Sequence, residues 1–447
     1  MKTKTIRQYI RAAGVALLSA TAAAAEAQQP VTPAGGDTVV LTLVEAQRRS
    51  LTVNPAFLAD AREGTIARGE LRQARVQGLN PELELEAPRA ASDAGVGEYE
   101  ARLSQEVPWA GQRGLRIRAA ELGVARADWG VRNAAREALA ATTLAYFAAL
   151  AAERRLGLAT ELEQLNDRLL SAARVQLQEG EISALEANLA SIENGRARAR
   201  VLAAQRQAAS ARLELQRLTG IAPDRTVHLS DPGITMPSSS ALSGDSLLTV
   251  ALERRPDLAA SRSATEQADA LARLARREGI PNLRLGAFVE RTEIPGSAVT
   301  EGKPAYESPR LGLAVSVPVP LFDRNQGTAA QRSAQAEQAH LSRSAMELTV
   351  RTQVSDALRA YATAQEEAGV FERDVLEPAR SNQQLLDTAF RAGKLNLTTL
   401  LLLRNQLLDA ELGYWDAWLA ARRAWVELQS AIAAFVPDPD LNLESIR

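Results

Sequence analysis

The feature that most constrains this chain is an internal duplication, because its two halves carry matching glycines and a matching triplet in the same order. The matched pairs are Gly114 with Gly327, Gly180 with Gly393, and the Glu-Leu-Gln triplets at 214–216 and 427–429. Each of these pairs is separated by 213 residues. Because the separation stays constant along this whole stretch, the sequence predicts two copies of one supersecondary unit.

The duplication predicts the domain organisation. The first repeat covers 28–227, and the second covers 247–437. Between them, 228–246 is rich in Ser, Pro and Gly, which is typical of a linker. The remaining residues, 438–447, form a C-terminal tail.

The N-terminus has the parts of a secretory signal. A basic start is followed by a small, mostly apolar run over 12–25 and by an A-x-A cleavage pattern. We expect cleavage between Ala27 and Gln28, so that residues 1–27 are a signal peptide. An N-terminal anchor helix is the alternative, but the run is shorter than the ~20 residues that a span needs. After residue 27 no run of about 18 apolar residues occurs, which argues against an α-helical span.

Composition excludes several classes of partner. The chain has 52 basic and 54 acidic residues, and cleavage removes four basic and one acidic, which leaves 48 against 53 and a net charge of −5. This mild acidity argues against a nucleic-acid partner. The chain has no cysteine, which excludes disulfides, cysteine-based metal sites and a lipidated N-terminal cysteine.

Each half contains one predicted β-hairpin, at about 82–107 and 282–319. Apolar and polar residues alternate there, for example at Leu83 and Leu85 between glutamates. The strands are about as long as the 9–11 residues that cross an outer membrane. Four strands cannot close a barrel alone, so strands in a membrane require an oligomer. Two soluble hairpins are the alternative.

A long helical hairpin follows in each half, at about 114–218 and 327–435. Between Gly114 and Gly180 there is no proline, and at ~1.5 Å per residue such a segment forms a helix of roughly 100 Å. The predicted fold class is therefore mainly α with a small β part, built on duplicated long α-helical hairpins.

The sequence contains no recognisable set of catalytic residues. His228 and His340 lie far apart without spaced carboxylate or cysteine companions, and only Met236 and Met346 follow Met1. No phosphate-binding glycine loop is present. We therefore predict no enzyme activity, no cofactor and no metal site, and an energy source in a partner.

The order of motifs resembles the TolC family of outer-membrane efflux proteins over nearly all of the mature chain. The motifs are GTIARGELRQARVQGLNPELELE at 64–86, VPWAGQRG at 107–114, LQEGEISALEANLA at 177–190, LELQRLTGI at 213–221 and VSVPVPLFDRNQG at 315–327. The first and last are most similar to the branch that serves cobalt-zinc-cadmium resistance pumps.

The resemblance implies a homotrimer in the lipid of the outer membrane, with a large periplasmic portion. Each protomer gives four strands to a shared 12-stranded barrel, and the long helices form a periplasmic tunnel. The function implied is a passive duct that exports small solutes, heavy-metal cations for this branch, from an inner-membrane RND-type pump and a periplasmic adaptor. Alternatives are a type I secretion duct for polypeptides and a non-channel periplasmic coiled-coil or adaptor protein.

The resemblance also implies that the two helical turns dock on the adaptor. The matching residues are Gly180, Glu181, Ser183, Leu185, Gly393, Leu395, Thr398 and Thr399. Cation-selective relatives often carry acidic rings just inside the second turn, where this chain has threonine and leucine. An acidic pore lining then comes from Glu186, for which helix capping is the alternative.

Overall fold

A computed structural model describes most of the mature chain. The described ranges are 39–76, 80–87, 98–233, 236–292, 308–392 and 394–435. The predicted cleavage site at Ala27 and Gln28, the tail 438–447 and the tip glycine Gly393 lie outside the described residues.

The first repeat places its two strands between short and long helices. Its elements are β1 (Val39–Leu41), α1 (Leu43–Thr52), α2 (Pro55–Arg75), β2 (Glu82–Glu86), β3 (Glu98–Val107), α3 (Gln112–Gln178) and α4 (Ala184–Thr219). Asn54 caps α2 by accepting a hydrogen bond from the backbone N–H of Ala56, and Pro55 occupies the first turn, where no N–H is needed. The 67 residues of α3 form one helix because no proline interrupts them.

The second repeat reproduces this order. The linker before it contains β4 (Val227–Leu229) and a 3₁₀ turn (Ser239–Ala241). The elements that follow are α5 (Gly244–Arg254), α6 (Pro256–Glu278), β5 (Leu283–Thr292), β6 (Arg310–Ser316), α7 (Gln326–Val370), α8 (Glu377–Arg391) and α9 (Leu397–Ala431). The strand predicted to reach 319 ends at Ser316. Pro318 and Pro320 follow, and proline cannot donate to a strand ladder.

A single π-helical turn, Phe371–Leu376, joins α7 to α8. Pro378 sits at the start of α8 and has no backbone N–H to donate to the preceding turn. The wider turn accommodates the proline without ending the helix. The second long helix therefore continues through a residue that usually breaks helices.

The predicted linker is partly ordered against both repeats. β4 pairs in parallel with β1, so His228 lies in a strand opposite Val40. Tyr146 of α3 donates from its hydroxyl to the carbonyls of Leu41 and Ser230, and Tyr361 of α7 donates to the carbonyl of Pro237.

One antiparallel sheet contains the strands of both hairpins, in the order β2-β3-β5-β6. The central pairing joins the two repeats and places Leu103 opposite Ala287. β2 and β6 form the two edges of this sheet.

The helices pack in two main places. Near the linker, Tyr146 and Phe147 of α3 are buried with Leu215 and Val426 from α4 and α9. Near the turns, Leu169 and Leu170 of α3 pack with Leu400 and Leu401 of α9. Among the described residues, no helix has the length and apolarity that crossing a bilayer requires.

Candidate functional site

One face of the four-stranded sheet is apolar and exposed. Its apolar members include Leu83, Leu85, Leu103, Leu285, Ala287, Val289, Leu311, Leu313 and Val315, which the strand register brings to the same side together with the polar Gln105 and Arg291. Leu311, Leu313 and Val315 are 82%, 87% and 69% exposed. An uncovered apolar face of this extent is typical of a surface that contacts lipid or another protein.

The opposite face of the sheet is charged and predominantly acidic. It carries the glutamates Glu82, Glu84, Glu86, Glu100, Glu106 and Glu290 and the arginines Arg102, Arg284 and Arg310. Arg102 lies 2.6 Å from the carboxylate of Glu100, and Arg284 lies 3.3 Å from that of Glu82. Among the side chains that the structure describes, six glutamates against three arginines give this face a negative charge, whose field favours cations beside it.

The first helical turn contains four of the predicted docking residues. Gly180 has φ +77°, a conformation that glycine adopts without steric cost. Glu181 and Ser183 are exposed, and the side chain of Leu185 is 79% exposed. The turn therefore presents an apolar side chain to solvent between two long helices.

Glu186 is engaged in helix capping. Its carboxylate accepts hydrogen bonds from the backbone N–H and the hydroxyl of Ser183, at 2.9 and 3.0 Å, while Ser183 accepts from the backbone N–H of Glu186. This is a capping box at the start of α4. These hydrogen bonds hold the pKa of Glu186 below its usual value, and the bond from the backbone N–H of Ser183 has the largest effect. The predicted role of Glu186 in the pore lining stays a prediction.

The second helical turn begins α9 in a similar way. Asn396 accepts a hydrogen bond from the backbone N–H of Thr399 at 2.8 Å. Thr398 is exposed and Leu395 is half-buried. The next leucine pair, Leu400 and Leu401, is buried against the first hairpin. This burial brings the two predicted tips, which belong to separate repeats, to the same end of the folded protein.

A polar bridge connects the hairpins above the tips. Asn405 of α9 donates to the carboxylate of Glu193 on α4 at 2.9 Å and accepts from Arg200 at 3.1 Å. Glu193 is 6% exposed and also lies 2.8 Å from Arg196. A buried carboxylate with these partners fixes the spacing of the two hairpins.

A buried charge cluster at the junction of the repeats was not predicted from the sequence. Asp257, at the start of α6, binds Arg255 through two hydrogen bonds, and Arg136 of α3 lies 3.9 Å away. Arg255 also donates to the carbonyl of Ala431, and Arg136 to that of Ser430. The two arginines thus stabilise the C-terminal end of α9. The Arg-Pro-Asp motif is the sequence signal, but its partners lie far away along the chain.

A sheet with one apolar and one charged face, continued by two very long helical hairpins, defines an outer-membrane channel protein. The outer membrane efflux protein family model matches residues 247–434. The cobalt-zinc-cadmium resistance protein CzcC of Cupriavidus metallidurans is 27% identical over 377 residues, which are 84% of this chain and 85% of CzcC.

Two solved structures have the same fold. The CmeC outer membrane channel of Campylobacter jejuni superposes with a TM-score of 0.74 at 14% identity, over 90% of this chain and 89% of CmeC. The outer membrane protein VceC of Vibrio cholerae superposes with a TM-score of 0.69 at 17% identity, over 87% of this chain and 95% of VceC.

The second repeat thus matches the outer membrane efflux protein family, and the chain as a whole resembles CzcC. The chain is an outer-membrane channel with a periplasmic helical tunnel, and it is not an enzyme. The predicted fold class, mainly α with a small sheet, is confirmed. The resemblance to the TolC family and its cobalt-zinc-cadmium branch is likewise confirmed.

Proposed function

We propose that the chain is the outer-membrane duct of a tripartite efflux system that exports heavy-metal cations. Three copies form the duct, a periplasmic adaptor docks on its tips, and an inner-membrane RND-type pump supplies the energy. The single observation that carries the choice of cargo is the acidic face of the sheet.

The trimer follows from the edges of the sheet. β2 and β6 leave backbone N–H and C=O groups without a strand partner within one chain's sheet, and an open edge in lipid costs several kcal/mol per unsatisfied group. A ring in which β6 of one copy pairs with β2 of the next removes every edge. Three copies of four strands give twelve, within the known range for barrels.

The charge of the sheet's acidic face supports the proposed cargo. With the apolar face toward lipid, the face with six glutamates and three arginines lines the lumen, so three copies surround the exit with excess negative charge. An acidic lining in a low-dielectric wall raises the local concentration of cations in the lumen. The relative CzcC is named a cobalt-zinc-cadmium resistance protein, which agrees with this cargo.

Docking at the tips is supported by their exposed side chains. Leu185 is 79% exposed beside Glu181 and Ser183, and Thr398 is exposed at the second turn. Leu185→Asp is expected to abolish co-purification with the adaptor, because it places a charge in an apolar contact. Leu341→Asp is the matched control, since Leu341 is 72% exposed on α7 far from the tips. Equal recovery of the adaptor with both variants contradicts docking at Leu185.

A deletion strain tests the cargo. Loss of the gene is expected to raise sensitivity to zinc, cobalt and cadmium and to leave sensitivity to common antibiotics unchanged, and a plasmid copy is expected to restore resistance. Unchanged metal sensitivity together with loss of a secreted polypeptide favours the type I secretion duct instead.

The reversal potential of the purified channel in a planar bilayer tests the acidic lining directly. In a salt gradient the unmodified channel is expected to prefer cations, and Glu84→Gln with Glu86→Gln is expected to reduce that preference. Asp245→Asn with Glu253→Gln, on the exposed surface of α5, removes the same charge and is expected to change nothing. Anion preference in the unmodified channel contradicts the proposal.

A further inference from the structure

The two faces of the sheet continue into the helices directly beneath it. A cavity of about 580 Å³ under the charged face is lined by Arg102, Glu106 and Arg284 from the strands. Arg116 of α3 and Glu278 of α6 line the same cavity. These two helical residues therefore mark the lumen side of α3 and α6.

Arginines occupy the other side of the same two helices. Residues two positions apart on a helix point about 200° away from each other, so Arg118 lies opposite Arg116 and Arg276 lies opposite Glu278. Arg273 is one turn from Arg276 and shares its side. Arg118, Arg273 and Arg276 are all exposed.

The end of α2 extends this outer surface. The carboxylate of Glu121 lies 3.8 Å from both Arg75 of α2 and Arg118 of α3, and both arginines remain 59% exposed. Arg72 is one turn before Arg75 on the same side and is exposed. Glu70, two positions before Arg72, points away from it.

The arginine collar is defined here as Arg72, Arg75, Arg118, Arg273 and Arg276. Glu121 and Asp269, the latter one turn before Arg273, are the acidic side chains beside them, so the five arginines leave the outer surface with a positive excess in each chain. The charged face of the sheet above this level is acidic overall, whereas the cavity at this level is lined by both arginines and glutamates.

The collar lies at the level of a membrane–water boundary. The exposed apolar strand face ends above it, and Trp109 follows β3 with its ring 59% exposed and its indole N–H donating to the carbonyl of Pro281 at 3.0 Å. Tryptophan is enriched at this boundary. Arg118 lies six residues into α3, about 9 Å below the start of the helix. An arginine side chain spans much of that distance.

We propose that the arginine collar binds the phosphate groups of anionic phospholipids in the periplasmic leaflet of the outer membrane. Guanidinium groups bind phosphate through paired, charge-assisted hydrogen bonds. The collar is continuous with the apolar strand face, so one lipid contacts both through its head and its chains. Removing one arginine is expected to lower the retention of an anionic lipid about fivefold.

Native mass spectrometry of the full-length channel in detergent tests this assignment, with equal amounts of phosphatidylglycerol and phosphatidylcholine added. The unmodified channel is expected to retain phosphatidylglycerol preferentially, and R118Q/R273Q/R276Q to lose at least tenfold of that preference. The matched control R174Q/R206Q/R423Q removes three exposed arginines elsewhere and is expected to keep it. Equal retention by the collar variant, or equal loss in the control, overturns the assignment.

Two further measurements keep the test decisive if the triple variant does not assemble. Arg118→Gln alone is expected to lower retention about fivefold, and high salt is expected to release phosphatidylglycerol from the unmodified channel. Inorganic phosphate at the lipid concentration is expected not to displace it. Displacement by phosphate, or indifference to both salt and Arg118→Gln, refutes binding of lipid headgroups. The reversal potential measures ion selectivity and does not depend on lipid binding. Failure of this inference and failure of the proposed cargo can therefore be distinguished.

Discussion

Replacement of Asp257 by asparagine tests how the two repeats are held together. The side chains of Arg255 and Arg136 are 3% and 7% exposed, and the Asp257 carboxylate lies 2.5 Å from one guanidinium nitrogen of Arg255. Asparagine keeps the shape of the side chain but removes the charge that both arginines face. The variant therefore leaves two positive charges buried at the junction without a carboxylate between them.

The expected cost follows from the contacts that remain. Removing one partner of a buried ion pair costs about 3–5 kcal/mol. Arg255 keeps a neutral acceptor in Gln353 at 2.8 Å and another in the carbonyl of Ala431 at 3.3 Å, so we expect the lower end of this range. With an unfolding entropy of about 2.1 cal/mol/K per residue, a loss of about 3 kcal/mol lowers the Tm of a chain this long by about 3 °C.

Thermal unfolding of the full-length channel in detergent measures this loss, with circular dichroism at a fixed scan rate and protein concentration because unfolding of such proteins is often irreversible. Glu137→Gln is the matched control, since Glu137 also contacts Arg136, at 3.4 Å, but is 64% exposed. The control is expected to unfold within about 1 °C of the unmodified chain. An equally small shift for Asp257→Asn refutes the reasoning.

The difference in Tm between the unmodified chain and Asp257→Asn is also expected to depend on pH. Burial raises the pKa of Asp257, but the hydrogen bonds from Arg255 and the charges of Arg255 and Arg136 outweigh it, so the pKa is below its usual value. A carboxyl with a lowered pKa contributes stability above its unfolded pKa, and this contribution is lost as pH falls through its folded pKa. The difference in Tm is expected to stay constant from about pH 8 to 5 and to shrink below about pH 4. A difference that disappears between pH 8 and 6 contradicts this.

Three further substitutions test other parts of the fold. Tyr361→Phe removes the hydrogen bond to the carbonyl of Pro237 and is expected to cost about 1 kcal/mol in thermal unfolding; no change contradicts a role in holding the linker. Gly220→Ala is expected to cost about 1–3 kcal/mol because φ is +63° there, whereas Gly114→Ala, inside a helix with open space around it, is expected to be neutral or stabilising. Leu313→Arg, on the exposed apolar face of β6, is expected to cost about 2–4 kcal/mol and to reduce the amount of heat-modifiable oligomer on gels; an unaffected oligomer argues that this face is not in lipid.

The elements that the sequence predicts are those with local signals. The absence of proline between Gly114 and Gly180 predicts α3, and the alternation around Leu83 predicts β2. Proline and glycine act on the backbone of their own turn, and alternation is a property of consecutive residues. These local signals are enough to find α3 and β2, whereas Pro378 lies within the second long helix without ending it.

The elements that the sequence does not predict depend on contacts between distant residues. β1 and β4 are three residues each, too short for alternation to be visible, and they form only because Val39 meets Val227. In the sequence, Arg255 and Asp257 resemble ordinary surface charges. Only the packing of α9 over them shows that they are largely buried. Glu186 is ambiguous from sequence alone, because the same carboxylate fits a pore lining and a capping box.

The open edges of the sheet have a genetic consequence. In the proposed ring each chain takes part in two seams, one through β2 and one through β6, so damage to either edge of a single chain breaks one of the three seams and leaves the ring open. If intact and damaged chains are made in equal amounts and mix at random, only about one ring in eight is wholly intact. Mutations that disrupt either edge strand but spare folding are therefore expected to behave as dominant alleles, whereas deletion of the gene is recessive.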